Sequence, residues 1–154
     1  MKILFVYVVV GKNFENVMES RNMKYTDITK EDQELIDAAI AVIQRNFLYG
    51  KHHVGSAVRA KSGKIYTGIH LESQNVDVCA EHVAMGMAVS NGEREFDSIV
   101  AITMRDVPKP TIISPCQVCR ELINFYGLET WVILANEGFK KCKIKDLVNT
   151  SQQK

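Results

Sequence analysis

The sequence predicts an α/β protein, a three-layer α-β-α arrangement in which helices cover both faces of a five-stranded mixed sheet. Three observations carry that reading. A long amphipathic helical pattern leads into two β-rich runs joined by a tight turn. A helix that is apolar nearly all round follows them. The rest of the chain then alternates strand and helix patterns and closes on two strands. At 154 residues the chain suits one domain, and its 46% hydrophobic and 24% charged content is that of a globular chain, not a disordered one.

The elements follow in order. Lys2 and the apolar run 3–10 share features with a secretory signal peptide, but eight apolar residues cannot span a bilayer. Asn13, Phe14, Glu15 and Asn16 stand where a small-residue cleavage site would be needed. Residues 1–23 are therefore expected to form an extension of unassigned role, and residues 24–154 the domain. Thr29 with Asp32 makes a capping box, after which Leu35, Ile36, Ala39, Ile40, Ile43 and Phe47 recur at spacings of three and four. This predicts a helix over 30–48, stopped by Tyr49-Gly50. Residues 54–60 and 65–71 read as a hairpin about Lys61-Ser62-Gly63-Lys64. Residues 78–90, with Val83, Ala84, Met85, Met87, Ala88 and Val89, read as a buried helix that Asn91-Gly92 ends. Residues 98–104 suit a strand and 105–113, broken by Pro108 and Pro110, a loop. Ser114 and Pro115 suit the N-cap and first turn of a helix reaching Tyr126. Strands over 131–135 and 139–144 complete the sheet, and Leu147 and Val148 fall on a short last helix or tail.

Charge narrows the function. Nineteen basic against 18 acidic residues leave a net charge of +1, which gives no electrostatic footprint for nucleic acid or an acidic membrane. The basic cluster Lys140, Lys141, Lys143 and Lys145 reads as a solvated face. A small-molecule substrate is the expectation.

The four cysteines carry the chemistry. Cys116 and Cys119 stand at i, i+3 in a Pro-Cys-x-x-Cys at a helix start, where both thiols share a face and unpaired amides favour thiolate. Such a pair holds a metal or forms a redox disulfide, and the redox motif belongs earlier in a βαβ pattern. Two thiolates under-coordinate zinc, and Cys79, in the first turn of a helix that Asp77 can cap, supplies a third. Three protein ligands leave one position open, as in catalytic zinc sites. Glu81, two residues on, suits a general acid/base that does not itself ligate the metal. A structural zinc, or buried free thiols, is the alternative. Cys142 has no partner at ligand spacing and reads as a small buried hydrophobe. Reduced thiols also point to a cytoplasmic setting.

The string Cys79-Ala80-Glu81 followed by Pro115-Cys116-Gln117-Val118-Cys119 matches the zinc nucleobase-deaminase signature. Over about residues 28–148 the chain resembles the small homo-oligomeric cytidine deaminases. Beyond the zinc motif, the likeness runs through Val54-Gly55-Ser56-Ala57, Gly63 to Gly68, and Ser114-Pro115-Cys116 with Cys119-Arg120. The resemblance implies a cytidine deaminase-like fold, a Zn²⁺ cofactor on Cys79, Cys116 and Cys119, and a homotetramer acting in pyrimidine salvage. It implies hydrolytic deamination of a cytosine-type nucleoside, zinc-bound hydroxide attacking C4 while Glu81 shuttles the proton. His52, His70, Glu72 and Ala80 are implied at the substrate. The family's Phe-Pro is replaced here by His52-His53, and its Asn-x-Glu-Asn by His70-Leu71-Glu72-Ser73, which keeps the Glu alone. His82 stands where three-cysteine members commonly carry Arg, so His82 and Arg120 are the expected cations beside the thiolates. The family's Leu-Pro-x-x-Phe tail is missing after Leu147. Blasticidin-S deaminases are relatives with a similarly altered ribose region. Two other readings remain, a zinc-containing nucleoside-binding protein without turnover and a nucleic-acid editor, the latter disfavoured by the charge.

Overall fold

In the computed structural model the described residues are 23–148, so the expected extension at 1–23 lies, apart from Met23, outside them. Three of the helices start and stop close to the expected positions: α1 (Lys30–Asn46), α2 (Ala80–Ser90) and α3 (Gln117–Tyr126). Short α4 (Ile144–Val148) ends the described chain. The strands are β1 (Thr26–Asp27), β2 (Val54–Ala60), β3 (Ile65–Ile69), β4 (Leu71–Glu72), β5 (Asp77–Val78), β6 (Phe96–Thr103), β7 (Thr111–Ile113), β8 (Trp131–Ala135) and β9 (Phe139–Lys143). Among the described residues no helix is long and apolar enough to cross a membrane.

The main sheet has seven strands where five are expected, in the order β1-β9-β8-β6-β2-β3 with β7 also on β6. The five expected strands are all present. The additions are two-residue β1, which pairs with β9, and β7, which lies in the stretch expected to be a loop. Its β-branched Thr111, Ile112 and Ile113 pair antiparallel with Thr103, Ile102 and Ala101 of β6. Along the same edge, β8 pairs in parallel with Ser98 and Ile99. One edge of β6 thus changes partner between Ile99 and Ala101, and the sheet is mixed as expected. The second hairpin strand also ends sooner: after Ile69 the chain leaves the sheet, and β4 pairs instead with β5.

Alternation along the strands builds two cores. Ala57, Val100, Ile102 and Ile133 face Leu35, Ile36, Ala39, Ile40 and Ile43 of α1. Their neighbours Val58, Ile99, Val132 and Leu134 face the other way, onto Ala84, Met85 and Ala88 of α2 and Ile123 of α3. These are the three layers. Helix α2 is less enclosed than its composition suggests, because Met87 is 51% exposed while Ala80, Ala84 and Ala88 are fully buried. It packs by its small-residue face.

Two glycines set how closely helices approach the sheet. A Cβ on Gly55 would lie 2.8 Å from Cβ of Ile43 in α1. On Gly68 it would lie 2.3 Å from Ala84 N and 2.5 Å from Ala80 O, both backbone atoms of α2 that no rotamer change can move aside. Across the sheet, Asp32 completes the expected capping box with Thr29 and also takes Lys141 Nζ at 2.5 Å. The lysine cluster is therefore not the solvated face expected: Lys141 is 7% exposed in this pair. Lys143 lies 3.7 Å from the Trp131 ring centroid, while Lys140 and Lys145 pair with Asp27 and Glu129. Strand alternation turns Lys140 to one face of β9 and Lys141 with Lys143 to the other, where both ammonium groups lie over the Trp131 ring, while Lys145 belongs to α4.

Two predictions follow from this packing. Gly68→Ala lowers the melting temperature by several degrees, a cost of about 2 kcal/mol for overpacking against backbone, in a thermal unfolding scan. The second concerns Asp32. Burial pushes this carboxyl up, but Lys141 and the Thr29 hydrogen bonds outweigh burial and hold it below its ordinary 3.8. A depressed folded value contributes stability above 3.8 that is lost as pH falls through the folded value. Asp32→Asn, which leaves Lys141 buried and unpaired, costs about 3 kcal/mol at neutral pH in urea unfolding. The gap to wild type narrows on acidification.

Candidate active site

The thiols sit at two helix N-termini. Cys79 is the N-cap of α2 and makes no capping bond with its side chain, so its sulfur is free to point outward. Cys116 is the N-cap of α3, and its Sγ accepts the Cys119 N–H at 3.4 Å. Asp77 and Ser114, expected as caps, both fall outside these helices. Asp77 lies in β5 and is spent on His70, and Ser114 accepts a bond from Arg120 at 3.2 Å. The cysteines take the cap positions because both chains approach in extended conformation, at ψ 144° for Cys79 and 170° for Cys116.

Cys79, Cys116 and Cys119 converge, their sulfurs all within 4.8 Å of one another. Cys79 Sγ lies 3.7 Å from Cys116 Sγ, which lies 3.3 Å from Cys119 Sγ. Tetrahedral Zn–S bonds of about 2.3 Å set sulfurs about 3.8 Å apart, so the cluster is of the right size. Its electrostatics fit as well. Burial, opposed by a hydrogen bond with Cys119 but reinforced by Cys116 and Glu81, pushes Cys79 up to about 11, and burial carries Cys119 higher still. Burial opposes ionisation of Cys116 too, but hydrogen bonds from Cys119 and Cys79 outweigh it and lower that thiol. Three thiolates this close need a cation among them, and an all-sulfur set of three suits zinc.

Glu81 stands in the first turn of α2, 5% exposed. It lines a small cleft with Ile99, Val100, Ala101, Ile113 and Pro115, at the place where the β6 edge changes partner. Burial raises its carboxyl above the usual range, partly offset by its backbone bond and the Cys119 thiol. A carboxyl biased toward its protonated form beside a metal centre is suited to carry a proton. Ala80 is fully buried under the same turn.

Neither expected cation bonds a sulfur among the described residues. Arg120 donates from Nε to Pro115 O at 2.9 Å and from a terminal nitrogen to Ser114. It therefore braces the Pro-Cys turn from the backbone side and bonds no sulfur. His82 Nε2 is buried without a hydrogen-bond partner, so that nitrogen bonds no thiol. The histidines of the ribose region do come together. His52 Nδ1 lies 2.8 Å from His70 O, and His70 Nε2 lies 2.8 Å from Asp77 Oδ1. His53, to which no role is assigned from sequence, stacks on His70 with ring centroids 5.5 Å apart and approaches Glu72. Its one legible sign is polarity immediately before a strand, since adjacent residues there turn to opposite faces and one of the His52–His53 pair must point inward.

Comparison with known proteins agrees with this geometry. Residues 29–135 match the family model described as the cytidine and deoxycytidylate deaminase zinc-binding region. A blasticidin-S deaminase of Bacillus cereus is 39% identical over 133 residues, which cover 82% of this chain and 95% of that protein. A cytidine deaminase of Sporosarcina psychrophila is 36% identical over 77 residues, 49% of this chain and 54% of its own. The crystal structure of cytidine deaminase from Burkholderia pseudomallei superposes with a TM-score of 0.64 at 27% identity, covering 78% of this chain and 96% of that one. The chain belongs to the zinc-binding cytidine and deoxycytidylate deaminase family. It is a hydrolytic deaminase acting on C–N bonds, with Zn²⁺ as its cofactor.

The thiol cluster makes a measurable claim. The purified protein retains about one zinc per chain by elemental analysis. Cys116→Ser loses most of it, and Cys142→Ser, at a thiol buried in β9 with no ligand partner, keeps it.

Proposed function

We propose that the chain hydrolyses the exocyclic amine of a cytosine-type nucleoside, cytidine, deoxycytidine or a modified relative, to the corresponding uracil compound and ammonia. The observation that supports this most is the buried carboxyl of Glu81 beside three convergent thiols. Cys79, Cys116 and Cys119 would hold the zinc. Bound zinc supplies Lewis acidity, which makes water ionise near neutral pH. Glu81 accepts the proton of the attacking water and delivers it to ring nitrogen N3. It then passes a second proton from the C4 hydroxyl to the departing amine, so that water adds across the ring and ammonia leaves. Its raised affinity for protons suits both transfers.

The substrate's sugar side falls to His52, His70 and Glu72. Glu72 pairs with Asp77 across the β4–β5 ribbon, in the segment that leads two residues later into Cys79. Blasticidin S is the second reading within the same class. The B. cereus blasticidin-S deaminase aligns along 95% of its own length, and the family resemblance implies that His70 replaces a ribose-binding Asn and His52 a pocket Phe of the cytidine enzymes. The partly apolar outer surface of α2 and α3, with Met87 51%, Val118 60% and Phe125 82% exposed, supports the homo-oligomer that the family resemblance implies.

The test is a panel of cytidine, deoxycytidine and blasticidin S, read as loss of cytosine absorbance and release of ammonia. Glu81→Gln lowers kcat by about 10²-fold or more on the substrate turned over while zinc content stays at the wild-type level. Full activity in that variant would sink the mechanism. A wild type that binds a nucleoside by calorimetry and releases no ammonia would leave only the non-catalytic binding protein.

A further inference from the structure

A second polar cluster lies behind the β4–β5 ribbon. His53 is 2% exposed and His70 is 9% exposed, and with Glu72 they bring one ligand-type atom each within 4.8 Å of one another. His53 Nδ1, His70 Nδ1 and Glu72 Oε2 are all buried without a hydrogen-bond partner. Buried orphan atoms in one place call for an explanation, because each carries a desolvation cost.

The bonds on the far side of the rings settle what those atoms are. Gly50 N–H donates to His53 Nε2 at 2.7 Å, so that nitrogen is bare and the ring proton of neutral His53 sits on Nδ1. Burial lowers the affinity of His53 for a second proton, with Arg105 adding to the effect and Glu72 opposing it. Neutral His70 is the reverse: Nε2–H donates to Asp77 Oδ1 at 2.8 Å, which in that tautomer leaves Nδ1 bare. The cluster therefore holds one N–H, on His53, facing two acceptors. A metal would need the lone pair of His53 Nδ1, and the ring could then offer Gly50 N–H only another N–H. The geometry favours a hydrogen-bonded support over a cation site.

The N–H of His53 faces Glu72 Oε2 at 3.5 Å, close enough that a small side-chain shift completes the bond. The Glu72 side chain is 36% exposed although Oε2 is buried, so its open side is turned away from the histidines. We infer that His53 is a positioning residue: its Nδ1–H holds the inner oxygen of Glu72 and so aims the outer one at the sugar side of the substrate. This rests on the proposed reading in which Glu72 contacts that substrate.

Two variants split the two ends of the ring. His53→Asn keeps a donor near Nδ1 and gives up the acceptor for Gly50. His53→Gln keeps an acceptor near Nε2 and gives up the donor to Glu72. With the panel substrate that the wild type turns over, His53→Gln raises KM about tenfold while kcat stays within about threefold, and His53→Asn keeps KM within about threefold. In a Glu72→Ala background, which removes the acceptor altogether, the further change on adding His53→Gln falls below about twofold. Equal losses in both variants, or a His53→Gln effect that persists without the Glu72 carboxylate, would overturn the inference. So would a metal ion bound beyond that of the thiol centre and removed by His53→Gln. An active wild type with unsplit variants overturns this role alone, whereas a wild type inactive on the whole panel overturns the deaminase reading and this one with it.

Discussion

Everything in the site hangs on the seating of the first turn of α2 directly upon β3. Gly68 permits it, because Ala84 N and Ala80 O lie where any side chain's Cβ would have to stand. That contact carries Cys79 and Glu81 to the sheet surface, and the buried small residues Ala80, Ala84 and Ala88 keep the helix low along its length. The cost is a helix with little side-chain volume in the core on that face. Met85 from α2, Ile123 from α3 and Ile99, Val132 and Leu134 from the sheet make up the deficit.

Seating α2 there also creates an electrostatic problem that defines the chemistry. An acid and three thiols share one buried corner, and burial raises Glu81, Cys79 and Cys119 together. Without a cation the corner can hold little negative charge. With one, thiolates become stable and Glu81 keeps the proton affinity that its enclosure by Ile99, Ile113 and Pro115 confers. The sheet contributes by its irregularity. Because β6 passes from β8 to β7 along one edge, the chain after β7 turns out over the sheet and starts α3 with Cys116 opposite Cys79.

Much of this was legible in the chain. The capping box of Thr29 and Asp32, the hairpin at Gly63, the Cys116–Cys119 pair and the Cys79–Glu81 pair all rest on local spacing, and local spacing survives folding. What could not be read depends on partners far away in sequence. Lys141 looks like one member of a basic run, yet Asp32, 109 residues away, buries it. Asp77 has the composition of a helix cap, but pairing of β4 with β5 moves it into a strand and onto His70. Arg120 is legible as a charge beside the cysteines, but that its hydrogen bonds go to the Pro115 carbonyl and the Ser114 hydroxyl is not.

By itself, then, the sequence determined which atoms are available: three sulfurs, one carboxyl, and histidines where relatives carry other residues. It determined the helix starts that carry Cys79 with Glu81 and Cys116 with Cys119, since each pair lies within one turn of consecutive residues, while the meeting of the two pairs belongs to the sheet. Only the tertiary structure decided how the remaining polar groups are shared. Whether His53 points into the protein, which of its nitrogens carries the proton, and which oxygen of Glu72 stays outside follow from a turn at Gly50, a stack on His70 and a two-residue ribbon. Hydrogen-bond partners are chosen by proximity in space, and proximity between distant segments is not written in spacing.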